Sequence, residues 1–289
     1  MQKSVTGCYM PTKIFSEFSC FVIIICMEYP YTDYKFLKQY QLLQSDIMFD
    51  NIFDLGFAII GYSETDKSTF WNLALVGQSI NKNQIGSVEA KFFSLDRKPT
   101  FYIPNIPELK SFVSRLEDVG YKKEYEDCFQ VWQNGYIDKS YFSSVKKVLS
   151  SSDLEIFLDV FNASYQKDDP KNPYGELGDY LKVARRVWQK HHETNRLEYF
   201  IAYKNNTPVA VSTLTNHKGF GYISNVGSIL SVRGEGFGKA ATLYCVDQSI
   251  KNSNSIHYLA TEEGHYPNDF YKRIGFEAKF SAVGYTKNY

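Results

Sequence analysis

The chain has 289 residues, with 32 Lys+Arg against 32 Asp+Glu, 44% hydrophobic and 17% aromatic residues. That length suits two domains of ordinary size or one large one, and the composition is that of a folded chain rather than a disordered one. Zero net charge argues against nucleic acid as the main partner, because counterion release rewards a basic excess, and no run approaches the roughly 20 apolar residues of a membrane span.

The chain opens ambiguously. Residues Phe18 to Met27 read FSCFVIIICM, with Lys3 and Lys13 ahead and Glu28 behind. That is the order of a signal peptide, but no small-x-small cleavage site follows the run. We expect 1–27 to be an unstructured tail, or sequence upstream of a true start at Met27; an anchor and a buried strand are the other readings. Cys8, Cys20, Cys26, Cys128 and Cys245 form no C-x-x-C pair, and their number is odd. Free thiols in a reducing, cytoplasmic setting are therefore expected. The five histidines show no metal-binding spacing, and no metal is expected.

Between 28 and 138 the chain mixes short apolar runs with polar turns, and carries more acid than base. Leu55 to Ile60, Trp71 to Val76 and Phe101 to Ile103 predict strands. Pro107 opens a predicted helix through Val119, with Leu109, Phe112, Val113 and Leu116 on one face. Gly120 stops it, and a strand follows over Tyr121 to Trp132.

From 139 to 289 the balance is basic and the punctuation is clearer. Ser152 and Glu155 suggest a capping box for a helix ending near Ala163. A polar loop, Gln166 to Pro173, leads to a second helix over Leu177–His191. Glu198–Lys204 and Pro208–Asn216 predict strands joined by a turn at Asn205-Asn206. A strand over Tyr222–Leu230 runs into a glycine cluster and a helix reaching Ser249. The strand His257–Thr261, a short helix at Asn268–Ile274 ended by Gly275, and strands Phe276–Ala282 and Gly284–Lys287 complete the chain. LEDVGY at 116–121 and YKRIGF at 271–276 echo each other, each ahead of a terminal strand.

The chemistry lies in Asn225 to Ala241, NVGSILSVRGEGFGKAA. A strand meets glycines at 234, 236 and 238 and then a helix. Glycine there allows positive φ and exposes successive N–H groups, and the helix N-terminus adds about half a positive charge. Together these form a cradle for phosphates; a plain tight turn is the simpler alternative. Walker A is excluded, since Arg233 and Ala240 stand where Gly and Ser or Thr are required, and the G-x-G-x-G spacing is not the dinucleotide G-x-G-x-x-G.

The pattern R-x-x-G-x-G, as Arg233, Gly236 and Gly238, resembles the coenzyme A pyrophosphate loop of the GNAT N-acetyltransferase superfamily. FYKRIGF at 270–276 resembles that family's late aromatic-Tyr-x-x-x-Gly-Phe segment, and the element order over 139–289 matches its fold. The resemblance implies an α/β fold with a mixed sheet, a GNAT domain at 139–289 and a degenerate GNAT-like lobe at 28–138, which has no such loop. It further implies that N–H groups of Gly234, Gly236, Gly238 and Lys239 hold the pyrophosphate, with Glu235 within the loop and Phe237 and Ala240 shaping it. Val226, Gly227 and Ser228 would pair with the pantetheine arm on a strand splayed from its neighbour, and an N–H of Val226 or Ser228 would polarise the thioester.

By the same resemblance Tyr271 would protonate the leaving thiolate. The acceptor amine must lose a proton, so a base is expected among Glu262, Glu263 and His265, with Glu262 the first candidate. The family's Asn before the tyrosine is Gly264 here, with Asn268 out of register. The implied activity is transfer of an acetyl group from acetyl-coenzyme A to the amine of a small molecule or protein; the alternative is a coenzyme A-binding regulator without turnover.

Overall fold

A computed structural model describes residues 33–133 and 135–287 of the chain, and the run at 18–27 lies outside them. Helix α1 (Asp33–Gln44) presents Phe36, Leu37, Tyr40 and Leu43 along one buried face. The first half continues with β1 (Asn51–Asp54), β2 (Ile59–Tyr62), β3 (Leu73–Leu75), α2 (Lys82–Ser94), β4 (Thr100–Pro104), α3 (Lys110–Asp118) and β5 (Lys122–Trp132). The second half comprises β6 (Val145–Lys147), α4 (Ser151–Ser164), α5 (Tyr180–His191), β7 (Leu197–Lys204), β8 (Thr207–His217), β9 (Phe220–Ser228), α6 (Phe237–Lys251), β10 (Ile256–Glu262), α7 (Tyr266–Arg273) and β11 (Phe276–Thr286).

Several local expectations shift for identifiable reasons. The strand expected at Leu55–Ile60 begins only at Ile59, in β2; residues 55–58 are the turn between β1 and β2, because Gly56 takes φ 79° and its N–H bonds Asp54 Oδ1 at 2.7 Å. Helices α1 and α2 are additional to the expected elements; α2 is opened by Asn81 and Gln84, which cap one another's backbone N–H groups. The capping box of α4 is Ser150 with Asp153, two residues before the expected pair. The two final strands are one, β11, which passes its irregularity at Gly284/Tyr285 without breaking. The turn at Asn205-Asn206 joins β7 to β8 as read, with φ of 49° and 65° in the two residues, the geometry of a tight hairpin.

The described strands form one mixed sheet in the order β1-β2-β3-β4-β11-β5-β10-β9-β8-β7-β6. Its centre does not follow the chain. β5 lies between β10 and β11, and β11 lies between β4 and β5. The two echoing strings lead into these two strands, each of which pairs with the other and with the strand preceding the other. Residues of the first half are thereby carried into the middle of the second.

Helices α2 and α3 cover one end of the sheet through Val88, Phe92, Phe112 and Leu116. Helix α6 sits beneath β7 to β10 through Phe237, Leu243 and Val246. Helices α4 and α5 cover β7 and β8 through Phe157, Phe161, Val187 and Trp188. The ring of Phe36 on α1 meets Tyr258 at 4.7 Å, Phe220 at 5.7 Å and Phe129 at 5.8 Å, which pins α1 over the sheet centre.

Candidate active site

Strand β9 pairs with β10 only over Phe220–Tyr222, so the two part beyond that point. Its other edge is irregular. The register with β8 shifts between Val211 and Thr213, where Asn225 takes the left-handed φ of 53°. Asn225 is held there by Tyr180, whose hydroxyl donates to its Oδ1 at 2.8 Å, and by its own Nδ2 donating to Thr213 Oγ1 at 3.2 Å. A bulge beside a parting of strands is a common device for opening a site.

The glycine loop lies at the end of β9. Gly234 and Gly236 take φ of 87° and 94°, and Gly236 caps α6. Gly238 serves differently. It is already helical, and a Cβ there would lie 2.8 Å from Ser228 Oγ. It is glycine for close approach rather than for positive φ, which corrects the sequence reading. The Ala240 N–H bonds Gly236 O at 2.9 Å, so the amides of 237 to 239 have no partner within the helix. Gly227 is also glycine for space, since a Cβ would lie 2.6 Å from Ser164 Cβ on α4.

A cavity of about 340 Å³ opens over this loop. Val226, Gly227, Ser228, Arg233, Gly234, Gly236, Phe237, Gly238 and Lys239 of the expected binding set line it. Glu235 and Ala240 do not: Glu235 pairs with Lys204 at 2.7 Å, and Ala240 is buried. The ionisable lining, tyrosines apart, is Lys171, Arg233, Lys239 and Arg273, with no carboxylate. Arg233 pairs with Asp169, whose side chain is 7% exposed, and reaches Ser228 O and Ser164 O at 3.3 Å, so it ties the 166–173 loop to the end of β9. Lys239 pairs with Asp138 at 3.0 Å. Lys171 and Arg273 have no ion pair among the described residues, and both stand over the Tyr266 ring, at 4.7 and 5.7 Å. Neither was singled out in the sequence; Lys171 lies in a loop far from the motif, and Arg273 reads as a solvated face.

Tyr271 is 8% exposed and lines this cavity from α7. Burial holds its hydroxyl well above the usual tyrosine range, so it carries its proton at neutral pH. Tyr165 donates to Val226 O at 3.0 Å, and Tyr174 OH accepts the Glu262 N–H at 3.2 Å.

Tyr165, Tyr174, Val226, Pro267 and Tyr271 are shared with a second cavity of about 570 Å³. This one reaches back to α1, β4 and β5 of the first half, and rings form much of its wall. Its charged lining is Asp66, Asp127, Glu176 and Asp179 against Lys67 alone.

Asp127 was not anticipated. It sits on β5 directly across from Glu262 on β10. The Tyr102 hydroxyl donates to its Oδ2 at 2.8 Å, and burial pushes its carboxyl up to about 7, beyond what that bond offsets. Glu262 is also pushed up by burial, with His265 at 3.7 Å acting against the shift, and it lines neither cavity. Glu263 bonds Asn268 at 3.3 Å, and His265 is exposed at the start of α7. Asn268 is buried in a network with Thr261 and Gln130, away from the glycine loop. Cys128 and Cys245 are buried free thiols, and the other three cysteines lie outside the described residues.

Residues 155–276 match the acetyltransferase (GNAT) family. This segment is a GNAT acetyltransferase domain. Solved structures extend the fold over most of the chain. A GCN5-related N-acetyltransferase from Kribbella flavida superposes with TM-score 0.62 at 17% identity, covering 88% of this chain and 95% of that one. A GCN5-related N-acetyltransferase from Sphaerobacter thermophilus gives 0.55 at 12%, covering 81% and 82%. A tandem GNAT protein from the clavulanic acid biosynthesis pathway gives 0.51 at 10%, covering 79% and 77%. No curated protein matches. The mixed α/β sheet expected from the sequence is thus the GNAT fold. No described helix is long and apolar enough to cross a membrane. Among the described residues no His, Cys, Asp and Glu cluster could hold a metal.

Proposed function

We propose that the protein transfers an acetyl group from acetyl-coenzyme A to an amine, with the substrates held in the two adjoining cavities. One observation carries this reading: a cavity with four cations and no carboxylate, at a positive-φ glycine loop and helix N-terminus, shares the wall of Val226 and Tyr271 with a second, acid-lined cavity. The first suits a polyanion such as the coenzyme A phosphates. The second suits a different, oppositely charged molecule.

In this scheme the amides of Gly234, Gly236, Gly238 and Lys239 hold the pyrophosphate, and Lys171 and Arg273 add charge at the mouth. Acetyl-coenzyme A supplies the acyl group as a thioester. The parting of β9 from β10 admits it, and an N–H of Val226 or Ser228 polarises the carbonyl; such a donor is worth about 10²–10³ in rate. Tyr271, protonated, gives its proton to the departing sulfur. A thiol has a pKa of roughly 8.5 and leaves readily unaided, so Tyr271→Phe should lower kcat only about tenfold. The domain boundary near 138/139, with a degenerate lobe before it, belongs to the same reading.

The test is thermal unfolding with and without acetyl-coenzyme A, with ATP and NAD as controls. At about 100 times its dissociation constant the ligand adds roughly 2.7 kcal/mol, a rise of several degrees. The rise should be confined to coenzyme A compounds and vanish in Gly236→Glu. A cooperatively folding protein that gives no rise would retire the reading.

A further inference from the structure

We propose that the larger cavity takes a small cationic amine on an aromatic or apolar body, and that the Asp127 carboxylate holds its ammonium and accepts its proton. This rests on the acetyl-transfer reading and names its acceptor class.

Charge is the first argument. The cavity lining sets four carboxylates against Lys67; Lys67 is engaged with Asp96 at 3.0 Å and Asp179 with Lys182 at 2.6 Å, which leaves Asp66, Asp127 and Glu176. Asp127 is the one of these that stands on a strand of the sheet, half-buried, and it has no ion pair among the described residues. Tyr102 satisfies one of its two oxygens. A carboxylate withdrawn from water without a cation is costly, and a ligand ammonium supplies the missing partner.

The walls are the second argument. Trp71, Phe161, Tyr165, Tyr180 and Tyr222 are among the rings around the cavity. Ring faces attract cations and cover apolar bodies alike. The third argument is size. A volume of about 570 Å³ lies in the range of small-molecule sites. A lone lysine side chain reaching in from a protein would leave most of that wall uncovered, so a small molecule fits better than a protein tail. The fourth is adjacency, since Val226 and Tyr271 border both cavities.

The step is a proton transfer. One proton leaves the ammonium nitrogen for a carboxylate oxygen of Asp127. The nitrogen keeps its electron pair as a neutral amine, the carboxyl becomes neutral, and it later returns the proton to water. The titratable groups around Asp127 are Tyr40 from α1, Tyr102 from β4, Tyr222 from β9, Tyr174 from the α4–α5 loop, Glu262 from β10, and Tyr125 and Glu126 along β5. None is a cation, and burial keeps these tyrosines protonated. With Asp127 titrating at about 7, amine affinity should fall as pH drops below that value.

Calorimetric titration with 2-phenylethylamine and tryptamine, against 2-phenylethanol and 3-phenylpropionate, tests the assignment at pH 8. The amines should bind at least tenfold more tightly than either control. Asp127→Asn should remove that preference while retaining the alcohol and the thermal shift with acetyl-coenzyme A. Equal binding of the neutral or anionic probe by the unaltered protein would overturn the proposal, as would unchanged amine affinity in Asp127→Asn. Amine binding that needs Asp127, in a protein that acetyl-coenzyme A does not stabilise, would uphold this site and retire the transfer reading.

Discussion

Asp127 also sets a stability experiment that involves no ligand. Its carboxyl titrates at about 7 in the folded chain against a usual 3.8, so between those values the folded state holds a proton that the unfolded chain has released. Stability therefore falls as pH rises through that window and is level above it. A shift of about 3 units corresponds to a ceiling of about 4 kcal/mol, and contact with cavity water reduces it. Asp127→Asn removes the charge but keeps an oxygen for Tyr102. Urea unfolding of both proteins from pH 5 to pH 8 should show the variant gaining about 1–3 kcal/mol on the unaltered protein, with equal denaturant slopes. A difference constant to within about 0.5 kcal/mol, or one that grows toward low pH, would refute the account of Asp127 as a carboxylate stripped of water.

Other sites give further expectations. Gly227→Ala pushes a methyl against Ser164 on α4, and overpacking of that kind costs about 1–3 kcal/mol; calorimetry should find a melting point several degrees lower. Gly236→Ala meets little steric resistance, with Tyr141 at 3.8 Å, but must hold φ 94°, so a loss of about 1–2 kcal/mol is expected from backbone strain alone. Asp169→Ala leaves Arg233 without its carboxylate, and with side-chain exposures of 7% and 21% the loss should be about 2–4 kcal/mol in urea unfolding. Residues 139–289 produced alone should aggregate, because β10 and β11 both lose β5; co-production with 33–138 should restore a soluble pair, and a soluble, cooperatively melting fragment would contradict the sheet order.

What could be read from the sequence was local. The Arg233–Gly238 loop, the Asn205-Asn206 turn and the Gly275 stop each follow from the backbone preference of a few adjacent residues, and each lies where its chemistry demands. The glycines also mark the limit of that logic. Gly234 and Gly236 are explained by φ, whereas Gly227 and Gly238 are small because Ser164 and Ser228 approach from other elements. No neighbour in the chain announces that approach. Helix α1 was hidden for a similar reason: its rings are selected by Tyr258, Phe220 and Phe129, all far along the chain.

The missed carboxylate follows from the sheet rather than from any weak motif. Chain order points to a base near Glu262, because that strand end follows the glycine loop in the same half. Asp127 stands beside it in space, one strand over and 135 positions earlier, since β5 enters the gap between β10 and β11. That exchange also accounts for why a first half without a phosphate loop would be retained. It furnishes Tyr102 and Asp127 to the larger cavity, along with Trp71 and Phe70 at its rim, while the second half furnishes the glycine loop and Tyr271. On the proposed reading the two cavities divide the site by charge, cations and amides over one substrate and carboxylates and rings around the other, with both halves lining the second. The slot between β9 and β10 is where the two meet.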